Sequence, residues 1–216
     1  MQDGSVVIAR PQQTKQLVLL FHGVGSSARD LAPLGQVLAQ ARPHATVVSV
    51  EAPHPSRLGR GKEWFSVVGV TEENRPGRVA QAMPLFLDAI RHWQGATGIG
   101  AAGTVLLGFS QGAIMALEST QTTLEPEPAA QSVIALAGRF AEPVRRAPAK
   151  VRLHLIHGDS DAVMPVGGSV EAHRQLQALG GDATLDIVPG LGHGIDERAL
   201  RHVLDHLLRD AAESVG

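Results

Sequence analysis

Short runs of apolar, largely β-branched residues recur along the chain, and several of them are apolar throughout. A strand of this kind is buried on both faces, as in a parallel sheet that helices cover on either side. The sequence therefore predicts a mostly parallel central sheet flanked by helices. The runs are residues 6–9, 17–21, 45–50, 104–109, 132–136, 151–157 and 184–188.

Apolar residues between these runs recur with the period of a helix, which predicts helices that each cover one face of the sheet. Strands alternating with helices form βαβ units, whose ligand sites lie beyond the carboxyl ends of the strands. Pro84 falls inside the second helical stripe, where we expect a kink or a late helix start. The stripes consist of Leu31, Leu34 and Leu38; of Val79, Met83, Phe86, Ile90 and Trp93; and of Leu200, Val203, Leu204, Leu207 and Leu208.

Composition narrows the class of protein. The 216 residues suit a single domain, 1–216, and the formal charge of −2 gives no general attraction to nucleic acid or anionic membranes. The absence of cysteine excludes disulfides and a cysteine nucleophile, and it agrees with a reducing compartment. Neither a secretory signal after Met1 nor an apolar stretch long enough for a membrane span is visible. We therefore expect a cytoplasmic protein without stable membrane association.

The strongest chemical signal lies at the end of the fourth apolar run. Residues 108–112 read G-F-S-Q-G and match the pattern G-x-S-x-G, with an apolar run before them and strong helix formers after them. A strand, a sharp turn and a helix are the setting of a nucleophile elbow, in which the flanking glycines avoid steric clashes. The alternative is a glycine-flanked turn with an incidental serine. The context favours Ser110 as a nucleophile.

A serine hydroxyl needs a base that takes its proton and an acid that orients the base, and in this arrangement the acid precedes the histidine along the chain. Asp159 and Asp161 follow the run 151–157, and His193 follows the run 184–188 in a glycine-rich loop. Asp159 fits a turn residue whose side chain bonds nearby backbone, whereas Asp161 stands further out in the loop. Spacing alone leaves both aspartates open and favours Asp161.

The remaining histidines have simpler interpretations. His22 and His157 end strands beside glycines and are interpreted as props of their loops, while His202 and His206 superficially resemble a zinc-ligand pair. Because a leucine stripe runs beside that pair, we interpret the segment as an amphipathic surface helix and predict no metal site. Surface or packing positions are expected for His44, His54, His92, His154 and His173.

A tetrahedral intermediate also needs hydrogen-bond donors for its oxyanion, commonly two backbone N–H groups. One comes from the residue after the nucleophile, Gln111. The other comes from the loop after an early strand, where Val24 is the natural donor. Ser26 and Ser27 are interpreted as caps of a helix that begins near Asp30.

Together these residues resemble the phospholipase/carboxylesterase family of α/β-hydrolases, which includes the acyl-protein thioesterases. Residues 22–25 (H-G-V-G) match its oxyanion loop and residues 108–113 (G-F-S-Q-G-A) its elbow. Residues 157–161 (H-G-D-S-D), with V-M-P at 163–165, match the segment of the catalytic acid, and residues 192–195 (G-H-G-I) match the histidine loop. The resemblance extends from about residue 17 to the last helix.

The resemblance implies an α/β-hydrolase fold and assigns the acid to Asp161. Residues 61–75 are more particularly similar to small bacterial carboxylesterases of the family. Ser26 and Ser66 stand where the family often has acids, so the acyl specificity of the thioesterase branch is not transferred. Too few residues separate the elbow from the acid for an inserted cap domain.

The substrate pocket is less sharply indicated. Trp64, Phe65 and Met164 are candidates for lining it. Trp64 and Phe65 fit core packing equally well, because large aromatic side chains dominate cores as well as pockets. The sequence leaves these two roles open.

The sequence thus predicts a serine carboxylesterase that hydrolyses short- to medium-chain esters through Ser110, Asp161 and His193, with no cofactor. The expected partner is a small-molecule ester or thioester, and a homodimer is left open. Alternatives are a thioesterase, lysophospholipase or acyltransferase with the same residues and, more remotely, a ligand-binding hydrolase fold without catalysis.

Overall fold

The computed structural model describes residues 4–122 and 127–213. The prediction that no secretory signal follows Met1 concerns a segment whose first three residues lie outside the described ranges. Both ends of the predicted domain 1–216 also lie outside them. Within the described ranges, no helix is long and apolar enough to cross a membrane.

A seven-stranded sheet forms the centre of the structure, in the order β1-β3-β2-β6-β7-β8-β9. Edge strand β1 runs antiparallel to β3, and every other neighbouring pair is parallel. A separate two-stranded hairpin, β4 with β5, lies in the segment after β3. The strands are β1 (Val6–Ala9), β2 (Gln16–Phe21), β3 (Ala45–Val50), β4 (His54–Pro55), β5 (Lys62–Glu63), β6 (Thr104–Phe109), β7 (Ser132–Leu136), β8 (Arg152–Gly158) and β9 (Ala183–Val188).

Helices cover both faces of the sheet. Alternate residues of each inner strand point to opposite sides, so that β2 sends Leu17 and Leu19 towards α2, α3 and α4, and Val18 and Leu20 towards α1 and α5. The helices are α1 (Ala32–Ala41), α2 (Arg75–Thr97), α3 (Gln111–Glu118), α4 (Gly167–Ala178) and α5 (Glu197–Glu213), with short 3-10 turns at Ala28–Leu31 and Ala101–Gly103.

The predicted parallel sheet flanked by helices is confirmed, and each predicted strand lies within one residue of an observed one. The late start expected for the second helix was wrong. Helix α2 begins at Arg75 with a proline in its first turn and continues through Pro84 to Thr97. Pro84 removes one backbone donor, but Met83 and Phe86 are buried on either side of it, and this packing keeps the helix continuous.

The described residues between α3 and β8 contain strand β7 and its loops and no cap domain. Loops at the carboxyl ends of the parallel strands therefore stand directly over the sheet edge, where the candidate residues lie.

Candidate active site

Ser110 occupies the sharp turn between β6 and α3. Its backbone has φ 54° and ψ −115°, a conformation that residues with a side chain rarely adopt and that stores strain. The N–H of Ser110 donates to the carbonyl of Leu136 at 2.9 Å, which fixes the turn to the neighbouring strand. The strained turn lifts the hydroxyl above the carboxyl end of the sheet.

The glycines around Ser110 are required by close backbone contacts. A Cβ on Gly112 would lie 2.1 Å from the carbonyl oxygen of Phe21, and one on Gly108 would lie 2.4 Å from the amide nitrogen of Ala113. Side chains at either position would push the helix away from the sheet. The structural role predicted for the flanking glycines is confirmed.

His193 lies between Ser110 and Asp161. Its Nε2 is 2.9 Å from the Ser110 Oγ, and its Nδ1 is 2.7 Å from Oδ2 of Asp161. Since a carboxylate only accepts, Nδ1 carries a proton and donates it to Asp161, and Nε2 is then the acceptor for the serine hydroxyl. The ring of Phe109 packs against the imidazole with a centroid separation of 5.1 Å. The geometry is that of a serine activated by a histidine base.

Asp161 is held as a charged acceptor. Its side chain is fully buried, and its Oδ1 accepts from the N–H groups of Val163 at 2.9 Å and Met164 at 2.8 Å. Burial raises the pKa of this carboxyl, but the hydrogen bonds from Met164, His193 and Val163 outweigh it and hold the pKa below its ordinary value. Asp161 is therefore ionised at neutral pH and keeps the imidazole oriented.

A second histidine supports the loop of Asp161 from below. The buried His157 places Nε2 2.7 Å from the carbonyl of Met164 and 3.3 Å from Asp161 Oδ2. Its Nδ1 is 2.7 Å from the hydroxyl of Ser169 on α4. The interpretation of His157 as a prop of its loop is confirmed, and the loop it supports is the one that carries Asp161.

Asp159, the other candidate acid, makes its bonds elsewhere. Its Oδ1 accepts from the backbone N–H of Gly190 at 2.7 Å and from the hydroxyl of Ser160 at 3.0 Å. Asp159 thus ties the loop after β8 to the loop after β9, a longer reach than the local turn expected from sequence. Of the two aspartates, Asp161 is the one that contacts His193.

The loop after β2 lies beside Ser110. A Cβ on Gly23 would be 3.2 Å from the Cβ of Ser110, so the glycine permits this approach. His22 donates from Nδ1 to the carbonyl of Gly23 at 2.8 Å and accepts at Nε2 from the N–H of Ala52 at 3.1 Å. Burial lowers the pKa of His22, which favours this neutral form. The prediction that His22 props the loop is confirmed.

The two expected oxyanion donors flank Ser110. Gln111 is the first residue of α3, where a backbone N–H has no acceptor in a preceding helical turn. Val24 follows Gly23 in the loop that abuts the nucleophile. Their roles as donors stay predictions. Ser27 is the N-cap of the 3-10 turn that begins at Ala28, as its capping interpretation requires, whereas Ser26 lies before the cap and donates its hydroxyl to Asp30 at 2.7 Å.

The sequence missed the role of the Gln111 side chain. This buried amide accepts from the N–H of Trp64 at 2.8 Å and donates to the carbonyl of Phe65 at 2.8 Å. No local pattern pairs residues 46 and 47 positions apart. The available signal was a polar side chain at the start of a helix whose next six residues are apolar or glycine.

The three pocket candidates divide. The Trp64 ring lies in the core against Phe21 and Phe86, at centroid distances of 6.0 and 4.9 Å, so the expectation that it lines the pocket is corrected to core packing. Phe65 is also packed in this core at 6% exposure, and Met164 is partly buried against it. Pocket roles for Phe65 and Met164 stay predictions.

A further group of histidines and aspartates lies under α5, away from Ser110. The side chain of His206 is 2.6 Å from Asp186, and that of His154 is 3.2 Å from Asp210. The two imidazoles stack at a centroid distance of 4.0 Å. His202 and His206 both contact Asp186 instead of forming a ligand set. The described part of the chain contains no group of three or more such residues that could hold a metal ion.

Comparisons with known proteins agree with this geometry. The model of the family described as Phospholipase/Carboxylesterase matches residues 2–209. Esterase YpfH of Escherichia coli strain K12 is 46% identical over 95% of this chain and 87% of its own length. The similarity that the sequence indicated to small bacterial carboxylesterases is thereby confirmed.

Solved structures add evidence on the fold. The crystal structure of esterase PE8 has a TM-score of 0.85 and 35% identity, and the match covers 95% of this chain and 96% of that one. The Bacillus cereus carboxylesterase has a TM-score of 0.78 at 17% identity over 95% of this chain and 93% of its own, which bears on the fold alone.

Proposed function

The chain belongs to the phospholipase/carboxylesterase family and is a carboxylic ester hydrolase; from this premise we propose that Ser110, His193 and Asp161 are its catalytic residues. The observation that carries the proposal is the unbroken hydrogen-bonded series from the serine hydroxyl through the imidazole to a buried carboxylate. A serine is a useful nucleophile only when such a base stands within hydrogen-bond reach.

The proposed reaction has two acyl-transfer steps. Ser110 Oγ forms a bond to the ester carbonyl carbon while His193 Nε2 accepts the hydroxyl proton. Asp161 stabilises the imidazolium that results. His193 then protonates the leaving alcohol oxygen as the carbon–oxygen bond breaks, which leaves an acyl group on Ser110. Water repeats the sequence, and the carboxylic acid is released.

Backbone donors complete the proposed machinery. The N–H groups of Val24 and Gln111 would bind the negatively charged oxygen of each tetrahedral intermediate, and they suit this role because one lies in the loop beside Ser110 and the other at the start of the helix that follows it. A fixed pair of donors stabilises charge that develops only in the transition state.

We propose soluble short- to medium-chain esters as substrates. The support is the architecture of the described residues, which place loops over the sheet edge and no cap domain between α3 and β8. An enzyme without a mobile apolar cover needs no lipid interface for activity. Its rate should therefore depend hyperbolically on substrate concentration below the solubility limit. A thioester carbonyl would fit the same chemistry.

The test combines a variant, a probe and a substrate series. Ser110→Ala should lose about 10⁴–10⁶-fold in kcat while keeping its circular dichroism spectrum and melting temperature. A fluorophosphonate should label the parent protein and spare the variant. A folded Ser110→Ala protein with more than a few per cent of the parent turnover would refute the assignment.

The substrate series uses p-nitrophenyl esters and matched thioesters of increasing chain length. Turnover that is highest for short to medium esters supports the proposed range. A jump in rate at the micellar threshold would contradict it, and faster turnover of thioesters would favour the thioesterase alternative.

A further inference from the structure

The Gln111 side chain forms a two-point clasp on backbone. Gln111 is 2% exposed, and both ends of its amide are used, one by the N–H of Trp64 and the other by the carbonyl of Phe65, each at 2.8 Å. A buried amide that satisfies an adjacent donor and acceptor at once fixes their separation and orientation. The clasp therefore attaches the start of α3 to residues 64–65.

The same segment is attached at its other end to the loop after β2. Lys62 accepts from the N–H of Gly25 at 2.9 Å and donates to the carbonyl of Ser26 at 2.7 Å. A Cβ on Gly61 would lie 2.2 Å from the Ser26 oxygen, so the two backbones touch. We call residues 62–65 the brace.

The brace thus contacts both sides of the nucleophile. One end of the brace bonds to the residues directly after Val24, and the other end bonds to the side chain of Gln111. Gln111 is also the first residue of α3, so its backbone N–H lies at the start of that helix. Val24 and Gln111 come from loops 87 positions apart in sequence. The brace is short and hydrogen-bonded at both ends, and its residues Glu63, Trp64 and Phe65 are buried. A rigid segment of this kind restricts the distance between Val24 and Gln111.

We propose that the side chain of Gln111 is a positioning residue, which through the brace holds the N–H groups of Val24 and Gln111 at the spacing that the oxyanion requires. The inference rests on the proposed function, since it needs Ser110 as nucleophile and these two groups as donors. Donors must lie about 2.7–3.1 Å from the place where the oxyanion forms, and a displacement of 1 Å can reduce the rate about 100-fold.

The first experiment removes the clasp and keeps the backbone. Gln111→Ala retains the N–H of residue 111, so we expect kcat to fall roughly 10–100-fold while KM changes by less than about threefold. Affinity for an alkyl boronic acid, whose serine adduct places an oxygen where the oxyanion forms, should fall by a similar factor. Gly61→Ala disturbs the other end of the brace and should give the same pattern.

Gln121 offers a matched control in the turn that follows the same helix, three residues after its last residue, Glu118. It is 5% exposed, and its amide likewise clasps backbone: it accepts from the N–H of Arg145 at 3.1 Å and donates to the carbonyl of Arg146 at 2.9 Å. Gln121→Ala should lower the melting temperature about as much as Gln111→Ala but leave kcat and boronic acid affinity within twofold of the parent.

A second variant tests the clasp through a proton. In Gln111→Glu, a protonated carboxyl can still donate to the carbonyl of Phe65 and accept from the N–H of Trp64, whereas a carboxylate can only accept. Burial raises the pKa of such a carboxyl. The kcat of this variant relative to the parent should therefore fall as pH rises from 5 to 8. The corresponding ratio for Gln121→Glu should stay flat.

The outcomes separate the two proposals. If Ser110→Ala is inactive but folded Gln111→Ala keeps kcat within twofold, the brace is refuted and the proposed function stands. If Ser110→Ala stays active, the proposed function itself fails. Should Gln111→Ala not fold, the Gln111→Glu ratio decides: a ratio independent of pH overturns the inference, and a falling ratio supports it.

Discussion

Two histidine–aspartate arrangements are built on strands β8 and β9, and in one of them an imidazole nitrogen lies within hydrogen-bond distance of the Ser110 hydroxyl. His193 and Asp161 follow the carboxyl ends of β9 and β8 and stand at the sheet edge. The other group lies lower, between those strands and α5, and we call it the buried cluster. It comprises His154, Asp186, His206 and Asp210.

The two arrangements differ in what the second ring nitrogen contacts. In His193, Nδ1 bonds to Asp161 and Nε2 faces the hydroxyl of Ser110, and 17% of the side chain is exposed. In His154, Nε2 bonds to Asp210 and Nδ1 lies 2.9 Å from the hydroxyl of Thr184 within the sheet, with 6% exposed. The role that we propose for His193 as a base thus depends on its second nitrogen, which lies beside a hydroxyl in a partly exposed place, whereas the second nitrogen of His154 faces a hydroxyl inside the sheet.

The buried cluster also differs from the site at Ser110 in the pKa of one of its histidines. Burial, followed by the nearby His154, lowers the pKa of His206, although the hydrogen bond to Asp186 opposes the shift. His206 is therefore neutral at neutral pH, which permits the two imidazoles to stack. The buried cluster joins α5 to the sheet, whereas we propose that the arrangement at Ser110 takes part in the reaction.

The largest expected effect comes from removing the same charge in each place. Asp161→Asn should reduce kcat about 10⁴-fold, because an amide there no longer fixes the tautomer of His193. Asp210→Asn should leave kcat within about threefold and act on stability. Steady-state kinetics with a soluble ester and urea denaturation of both variants provide the test. Comparable losses of kcat in the two variants would contradict the claim that only Asp161 acts in the reaction.

His206→Ala should lower the free energy of unfolding by about 2–4 kcal/mol, because the change removes a buried side chain and the hydrogen bond between that side chain and Asp186. His202→Ala is the matched control, because His202 contacts the same carboxylate but is 38% exposed, and about 0–1 kcal/mol is expected. Urea denaturation measures both. Equal destabilisation by the two variants would argue against burial as the source of the effect.

The pH dependence of stability should also trace to the buried cluster. The pKa of His206 is lowered in the folded state, so the unfolded chain binds the proton more tightly. Its contribution is complete above the ordinary histidine pKa of about 6.5 and is lost as pH falls below it. The free energy of unfolding should therefore decrease from pH 7 to pH 5, and less steeply in His206→Ala. His22 retains part of the slope in that variant, since its pKa is lowered as well. Identical slopes would exclude His206.

The smallest effect is expected at Asp159, two residues from the proposed acid. Asp159→Asn keeps an oxygen that can accept from Gly190, so the loss of unfolding free energy should be at most about 1 kcal/mol. Its kcat should stay within twofold of the parent. A kcat loss similar to that of Asp161→Asn would move the acid to Asp159.

The sequence predicted what depends on local pattern. Continuous apolar runs located the strands, and the topology of parallel sheets brought Ser110, Asp161 and His193 to one edge. Spacing favoured Asp161 over Asp159 but left both open, and the family resemblance then assigned the acid to Asp161. In the structure Asp161 contacts His193 while Asp159 joins two loops.

Contacts between segments that are distant along the chain could not be predicted from the sequence. The buried cluster joins His154 in β8 to Asp210 in α5, although the four-residue spacing of His202, His206 and Asp210 already placed them on one helical face. The clasp of Gln111 depends on where residues 64–65 come to rest, which only the packed structure defines. The ring of Trp64 likewise packs in the core against Phe21 and Phe86, which are distant from it in sequence.

The backbone of Ser110 has a consequence for how such a protein can change over evolutionary time. Its positive φ is unfavourable for serine by about 1–3 kcal/mol and easy for glycine. Glycine also gives the unfolded chain about 0.4–1 kcal/mol of extra entropy, which offsets only part of that relief. With Ser110 as the nucleophile that we propose, a drift to Ser110→Gly would then yield a chain that folds more stably and no longer hydrolyses esters. Under that proposal, selection on stability alone would favour the loss of the serine, and only selection on hydrolysis would retain it.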